Sequence, residues 1–220
     1  EEIGEKAMEL VRGDSFSMAW VRNPIAIMFQ KSKAFVMSKT GMIQHPEVSG
    51  FEADEYDEFI KNPFEFMAEK IIPRLNPGLD TDPIARSVNF TRIVLAQMDQ
   101  QEAFDKSNQK LVEKYGFFSP PPGTMGLQLV PFDFLADFCR GFTKILVDIK
   151  RQPEKVLEAM EALMPYAIWA GRTPETSIFG ANMIMTHMAT FLNTKDFEKF
   201  YWPTFYKLCH ICAERGQAMS

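Results

Sequence analysis

The sequence predicts an α/β protein in which short buried strands run parallel and helices cover them. Three observations carry that expectation. Strand-like runs alternate with helical ones along the chain. The stretch Ile178 to Met188 reads as one apolar run, the pattern of a strand buried on both faces. Finally, Val130-Pro131-Phe132-Asp133-Phe134-Leu135-Ala136-Asp137-Phe138-Cys139-Arg140-Gly141 reads as a junction where a strand ends and a helix begins. Pro131 suits the first helical position, where its missing N–H costs nothing. α/β enzymes keep their chemistry at such junctions, and an anionic ligand there meets a helix N-terminus.

Four strand candidates follow in order. The first is Ser15 to Val21, where Phe16, Met18 and Trp20 alternate with smaller or polar neighbours. The second, Ala34 to Met42, reads as an excursion hairpin rather than a core strand, because Lys31, Lys33 and Lys39 flank it. The third is Phe117 to Val130, two apolar runs broken by Ser119-Pro120-Pro121-Pro122-Gly123, and the fourth is Ile178 to Met188. The long irregular stretch between Trp20 and Asp54 has the length of a functional or lid-like loop.

Helix boundaries carry caps. Asp82-Pro83 opens a long segment that ends near Tyr115-Gly116, with a break expected around Asp99 to Asp105. Gln152-Pro153 opens the next, whose Val156, Leu157, Met160, Leu163, Met164, Ala167 and Ile168 make a core-facing stripe. Thr194 is the expected N-cap of the last. There Phe197, Phe200, Tyr201, Phe205, Leu208 and Cys212 form one stripe and Gly216 closes it. Parallel strands and outer helices leave an open doubly wound sheet or a (β/α)8 barrel, and a full barrel needs about 250 residues.

Composition narrows the function. At 220 residues and 46% hydrophobic content the chain can bury a substantial core. The formal charge of −5, from 29 acidic and 24 basic residues without a basic block, argues against nucleic acid as a partner. No apolar run reaches the roughly 20 residues of a membrane span. Three cysteines argue against a disulfide framework and for a reducing compartment, so a cytoplasmic protein is expected. The opening Glu1-Glu2-Ile3-Gly4 lacks an initiator Met, and Gly216-Gln217-Ala218-Met219-Ser220 ends without a following strand. A fragment of one larger domain, spanning 1–220, is expected. No G-x-G-x-x-G or G-x-x-x-x-G-K-[ST] sequence supports a dinucleotide or P-loop site.

His187 falls at the C-terminal end of the fourth strand, the ligand-facing edge of a parallel sheet, and histidine is suited to proton transfer near neutrality. The plainer reading is a structural histidine bonded to a loop carbonyl. Asp133 and Asp137 are four apart and can share a helix face. The helix dipole accounts for Asp133. Asp137, among Phe134, Leu135, Ala136 and Phe138, needs a partner or a proton, so it is either salt-linked to Arg140, Lys144 or Arg151 or a site acid. Cys209-His210-x-Cys212 is not read as a metal site, because helical spacing turns His210 away from the cysteines. His45 reads as a loop residue, and the fourteen methionines as packing material, with a Met-lined pocket for a flat ligand as the alternative.

With these residues assembled, the sequence resembles the uroporphyrinogen decarboxylase superfamily, which also contains corrinoid-dependent methyltransferases. The segment from Val130 to Gly141 resembles the family's A-P-W-T-L-A-S-Y-x-x-x-G. His187 through Phe191-Leu192 to Phe197-Glu198-Lys199-Phe200-Tyr201-Trp202-Pro203 is similar to its S-H-A-G…L…F…F…P. Asp54-Glu55-Tyr56-Asp57-Glu58-Phe59-Ile60 with Pro63 resembles a variant branch of anaerobic bacteria. The resemblance implies a (β/α)8 barrel of which this chain holds the middle portion.

By the same resemblance the catalytic residues are Asp137 and His187, and the substrate-binding residues are Trp20, Arg22, Phe132, Asp133 and Met185. Asp137 stands where the decarboxylases carry a substrate-contacting tyrosine, and His187 where they carry a propionate-binding serine. The arginine motif P-R-x-W-x-M-R-Q-A-G-R-Y is absent, and Trp20-Val21-Arg22 does not replace it. The implied activity is decarboxylation of tetrapyrrole acetate arms, in which the protonated pyrrole serves as electron sink and no cofactor is needed. There Asp137, or a carboxylate upstream, steadies the cation while His187 and Arg22 hold carboxylates. The first alternative is methyl transfer with a corrinoid protein and a zinc site outside this chain. The second is a non-catalytic module binding a tetrapyrrole or aromatic ligand. The expected partner is a small-molecule tetrapyrrole, with no nucleic acid and no membrane, and a homodimer as an open assembly state.

Overall fold

The computed structural model describes residues 2–11, 32–39, 43–119, 124–173 and 181–220. In order the elements are α1 (Glu2–Val11), β1 (Val36–Met37), β2 (Ile43–Gln44), α2 (Tyr56–Lys61), α3 (63–75), α4 (Pro83–Tyr115), β3 (Gly126–Leu129), α5 (131–139), α6 (Phe142–Arg151), α7 (Pro153–Ala170), β4 (Asn182–Met185) and α8 (194–214). They fall into two compact units, Glu1–Pro46 with Asn76–Ser119 and Glu47–Leu75 with Pro120–Ser220.

The expected (β/α)8 barrel is not what forms: the described residues are mainly helical, and their one parallel sheet has two strands, β3 and β4. The reason lies in the strand candidates. Ser15 to Val21, with Trp20 and Arg22, lies outside the described residues. Ala34 to Met42 contributes to a two-residue antiparallel pairing, Val36 with Gln44 and Met37 with Ile43. Phe117, from the third candidate, packs instead on Leu111 of α4. Among the described residues Gly126–Leu129 and Asn182–Met185 pair in parallel, Gly126 opposite Asn182 and Leu129 opposite Met185, and an isolated parallel bridge joins Asn182 to Met219. Short apolar runs do not distinguish a strand from a packed helix or turn.

In the first unit, α4 is set by its caps. The Asp82 carboxylate accepts the Ile84 and Ala85 N–H groups, both at 3.0 Å, and Pro83 needs no partner. Gly116 ends the helix at φ 69°, donating its N–H to Val112 O at 2.8 Å. No break occurs between Asp99 and Asp105. Lys114 reaches Glu5 of α1 at 2.9 Å, and the His45 ring packs edge-on to Phe35.

In the second unit α7 buries Val156, Ala159, Met160, Leu163, Met164 and Ala167, the stripe its sequence spacing predicts. Met164 and Ala167 pack against Leu208 of α8. Beneath the sheet Gln128 donates to Ala167 O at 2.8 Å, and Asn182 donates to Gln128 Oε1 at 2.6 Å and to Cys212 Sγ at 3.0 Å. Strand alternation puts Leu127, Met183 and Met185 on the opposite, exposed face. His210 faces outward to Glu214 at 3.3 Å.

Three helices contain a wide turn in which an N–H reaches the carbonyl five residues back: Ile72 to Met67, Arg140 to Leu135 and Trp202 to Phe197. Two of them immediately precede Pro73 and Pro203. A proline ring clashes with the carbonyl four residues back, and a widened turn gives it room. No described helix is long and apolar enough to cross a membrane.

Candidate acid–base site

Because β3 and β4 are parallel and in register, the chain leaves both strands at one edge of the sheet. From β3 it passes through Val130, extended at ψ 139°, into α5 with Pro131 in the first helical turn. From β4 it passes through Thr186 into a tight helical turn, His187–Phe191. Asp133 and Asp137 on α5 therefore face His187 across the sheet edge.

His187 Nε2 is 2.7 Å from Asp137 Oδ2, and its Nδ1 is 3.7 Å from Asp133 Oδ1. The first is a close contact between the imidazole and a carboxylate oxygen, an ion pair when the ring is protonated. The second is an ion-pair separation. Exposure grades across the cluster: the side chain of His187 is 43% exposed, that of Asp137 15%, and that of Asp133 0%. The imidazole is thus the solvent-facing member of a site whose far side is closed.

Asp133 is held by two donors. Met188 N–H reaches Oδ1 at 2.7 Å, which ties the His187 turn to α5, and Tyr201 O–H reaches Oδ2 at 2.5 Å. Burial pushes the Asp133 carboxyl up to about 6, against the pull of Tyr201, the Met188 N–H and His187 toward ionisation, while Asp137 adds to the rise. Burial, then the bond to Asp133, pushes the Tyr201 hydroxyl well above the usual phenol range.

The three titratable residues expected at one site, Asp133, Asp137 and His187, are brought together. Two of the three basic partners considered for Asp137 are engaged elsewhere: Arg140 with Asp148 at 2.6 Å and Lys144 with Glu52 at 2.8 Å. Phe132 is fully buried, tilted against the Tyr201 ring at 6.0 Å between centroids. Met185 ends β4 at 38% exposure, on the face that leads to His187. Sequence reasoning missed Tyr201, placing it in an apolar stripe. The available signal was its hydroxyl, since a tyrosine buried among phenylalanines must find a hydrogen-bond partner.

Among the described residues no three His, Cys, Asp or Glu side chains are grouped as metal ligands. Proton exchange is what the arrangement can do: a half-exposed imidazole, oriented by one carboxylate, beside a second carboxyl group whose affinity for a proton lies close to neutrality. No protein-family model, curated protein or solved structure matches the chain.

Proposed function

We propose that the chain is a uroporphyrinogen decarboxylase-like enzyme in which His187, oriented by Asp137, exchanges protons with a carboxylate-bearing tetrapyrrole. One observation carries this reading: the 2.7 Å pairing of a half-exposed histidine with Asp137 at the C-terminal ends of two adjacent parallel strands. Loss of carbon dioxide from an acetate arm breaks one carbon–carbon bond. The electron pair moves into the protonated pyrrole, a proton then completes the new methyl group, and the ring releases the proton it had taken up. Such a reaction needs a proton donor and negative charge near the ring cation. His187 supplies the first, and Asp137 with Asp133 the second.

Anaerobic incubation with uroporphyrinogen, followed by oxidation and chromatographic separation by carboxyl number, tests this. Wild-type protein is expected to yield products with fewer carboxyl groups, and His187→Gln to lose them. Folded wild-type protein that leaves every carboxyl group in place contradicts the reading.

A further inference from the structure

The two carboxylates of the site are not equivalent. Asp137 is partly open and holds His187, whereas Asp133 is enclosed, with Met188 N–H on one oxygen and Tyr201 O–H on the other. The Tyr201 ring is itself fixed. It is fully buried, stacked on Phe197 at 5.4 Å and tilted against Phe132 at 6.0 Å. Its hydroxyl oxygen therefore has one position, 2.5 Å from Asp133 Oδ2.

A phenolic hydroxyl can donate or accept from the same position. Facing an ionised Asp133 it donates. Facing a protonated Asp133 it accepts, its own hydrogen rotating away, and no heavy atom has to move. The groups acting on Asp133 come from three places: Tyr201 from α8, His187 and the Met188 N–H from the turn after β4, and Asp137 from α5 itself. Three of these favour the carboxylate and one opposes it. Tyr201 is the one whose hydrogen bond can reverse.

We propose that Tyr201 is a positioning residue of this site: its hydroxyl, reversing between donor and acceptor, sets whether Asp133 carries a proton 3.7 Å from the His187 ring, and so sets the charge that the Asp137–His187 pair meets from behind. The site then has two proton-holding places. One is exposed, on His187, and the other is buried, on Asp133.

The proposal rests on the acid–base reading of His187, but its test is independent of turnover. The carboxyl resonance of Asp133 is titrated in full-length protein carrying isotope-labelled aspartate and assigned with Asp133→Asn. Tyr201→Phe keeps the ring and removes the donor to the ionised form. The Asp133 midpoint is expected to rise from about 6 by about one pH unit, a tenfold gain in proton affinity. Fluorotyrosine at position 201 keeps the packing and strengthens the donor, so it is expected to lower the midpoint. It also provides the test if Tyr201→Phe does not fold. A role confined to packing would lower the melting temperature and leave the midpoint alone. Unmoved midpoints in folded Tyr201→Phe and fluorotyrosine proteins overturn the proposal. Shifted midpoints without uroporphyrinogen turnover overturn the decarboxylase reading alone, and turnover without a shift overturns this inference alone.

Discussion

Asp133 accepts the Met188 backbone N–H at 2.7 Å, and this bond ties the helix that follows β3 to the turn that follows β4 beside the His187 contacts. The consequence is that a fully buried carboxylate, rather than loop packing alone, holds His187 in place. Asp133→Ala strands the Met188 N–H and the Tyr201 hydroxyl without an acceptor. The expected loss is about 2–4 kcal/mol by urea denaturation, because each buried polar group left unmet costs about 1–3 kcal/mol. Asp133→Asn, which keeps an acceptor for the amide, is expected to lose less.

Stability should depend on pH through the same residue. The Asp133 carboxyl is raised from 3.8 to about 6, chiefly by burial, so the folded protein binds this proton more tightly than the unfolded chain does. Its contribution is complete below pH 3.8 and is lost as pH rises through about 6, a change of as much as about 3 kcal/mol. Glu55 acts with the opposite sign. Arg74, bonded to it at 2.7 Å, holds its carboxyl down at about 2, so that contribution is present above pH 4.5 and lost toward pH 2. Urea midpoints of wild type and Asp133→Asn are expected to diverge from pH 5 to pH 8 in favour of the variant. A constant difference would refute the buried-carboxyl assignment.

Away from the site, Arg140 and Asp148 form an enclosed ion pair at 2.6 Å. Tyr56 adds a hydrogen bond to Asp148 at 3.0 Å, and Arg140 donates to Phe51 O at 2.9 Å. Removing one partner leaves a buried charge uncompensated. Arg140→Met is expected to cost about 3–5 kcal/mol in chemical denaturation, and the double variant Arg140→Met/Asp148→Leu to recover much of that loss. Equal stability of the single and double variants would show that the charge is not what matters.

Gly141 separates the Asp137-bearing turn from α6. Its φ of +90° suits glycine, and an added Cβ would lie 2.7 Å from Val48 O. Gly141→Ala therefore combines backbone strain with a clash against the main chain. A loss of about 2–3 kcal/mol is expected, read as a lower thermal midpoint.

Helix ends were legible in the sequence because their chemistry is local: Asp82-Pro83 and Gln152-Pro153 open helices, and Gly116 closes one. The last helix is less so. Asn193, not Thr194, caps it, accepting the Asp196 N–H at 3.0 Å. The expected barrel is not what forms: it is implied by the family resemblance, and it requires Phe117 to Val130 and Ile178 to Met188 to be full strands. Among the described residues each contributes a four-residue strand, and the second turns into a tight helix at His187. At the site, the spacing of Asp133 and Asp137 and the place of His187 after an apolar run pointed to the cluster. Which carboxylate takes the imidazole, and that Tyr201 closes the other, depend on packing between α8 and α5, which periodicity does not encode.

A double-mutant cycle on carbon dioxide release from uroporphyrinogen, using Asp137→Asn, His187→Gln and the pair together, is the most direct measurement. If the two residues act as one proton-exchanging unit, each single variant loses nearly all activity and the double variant is no worse than either. Losses that multiply, or a fully active His187→Gln protein, would contradict it.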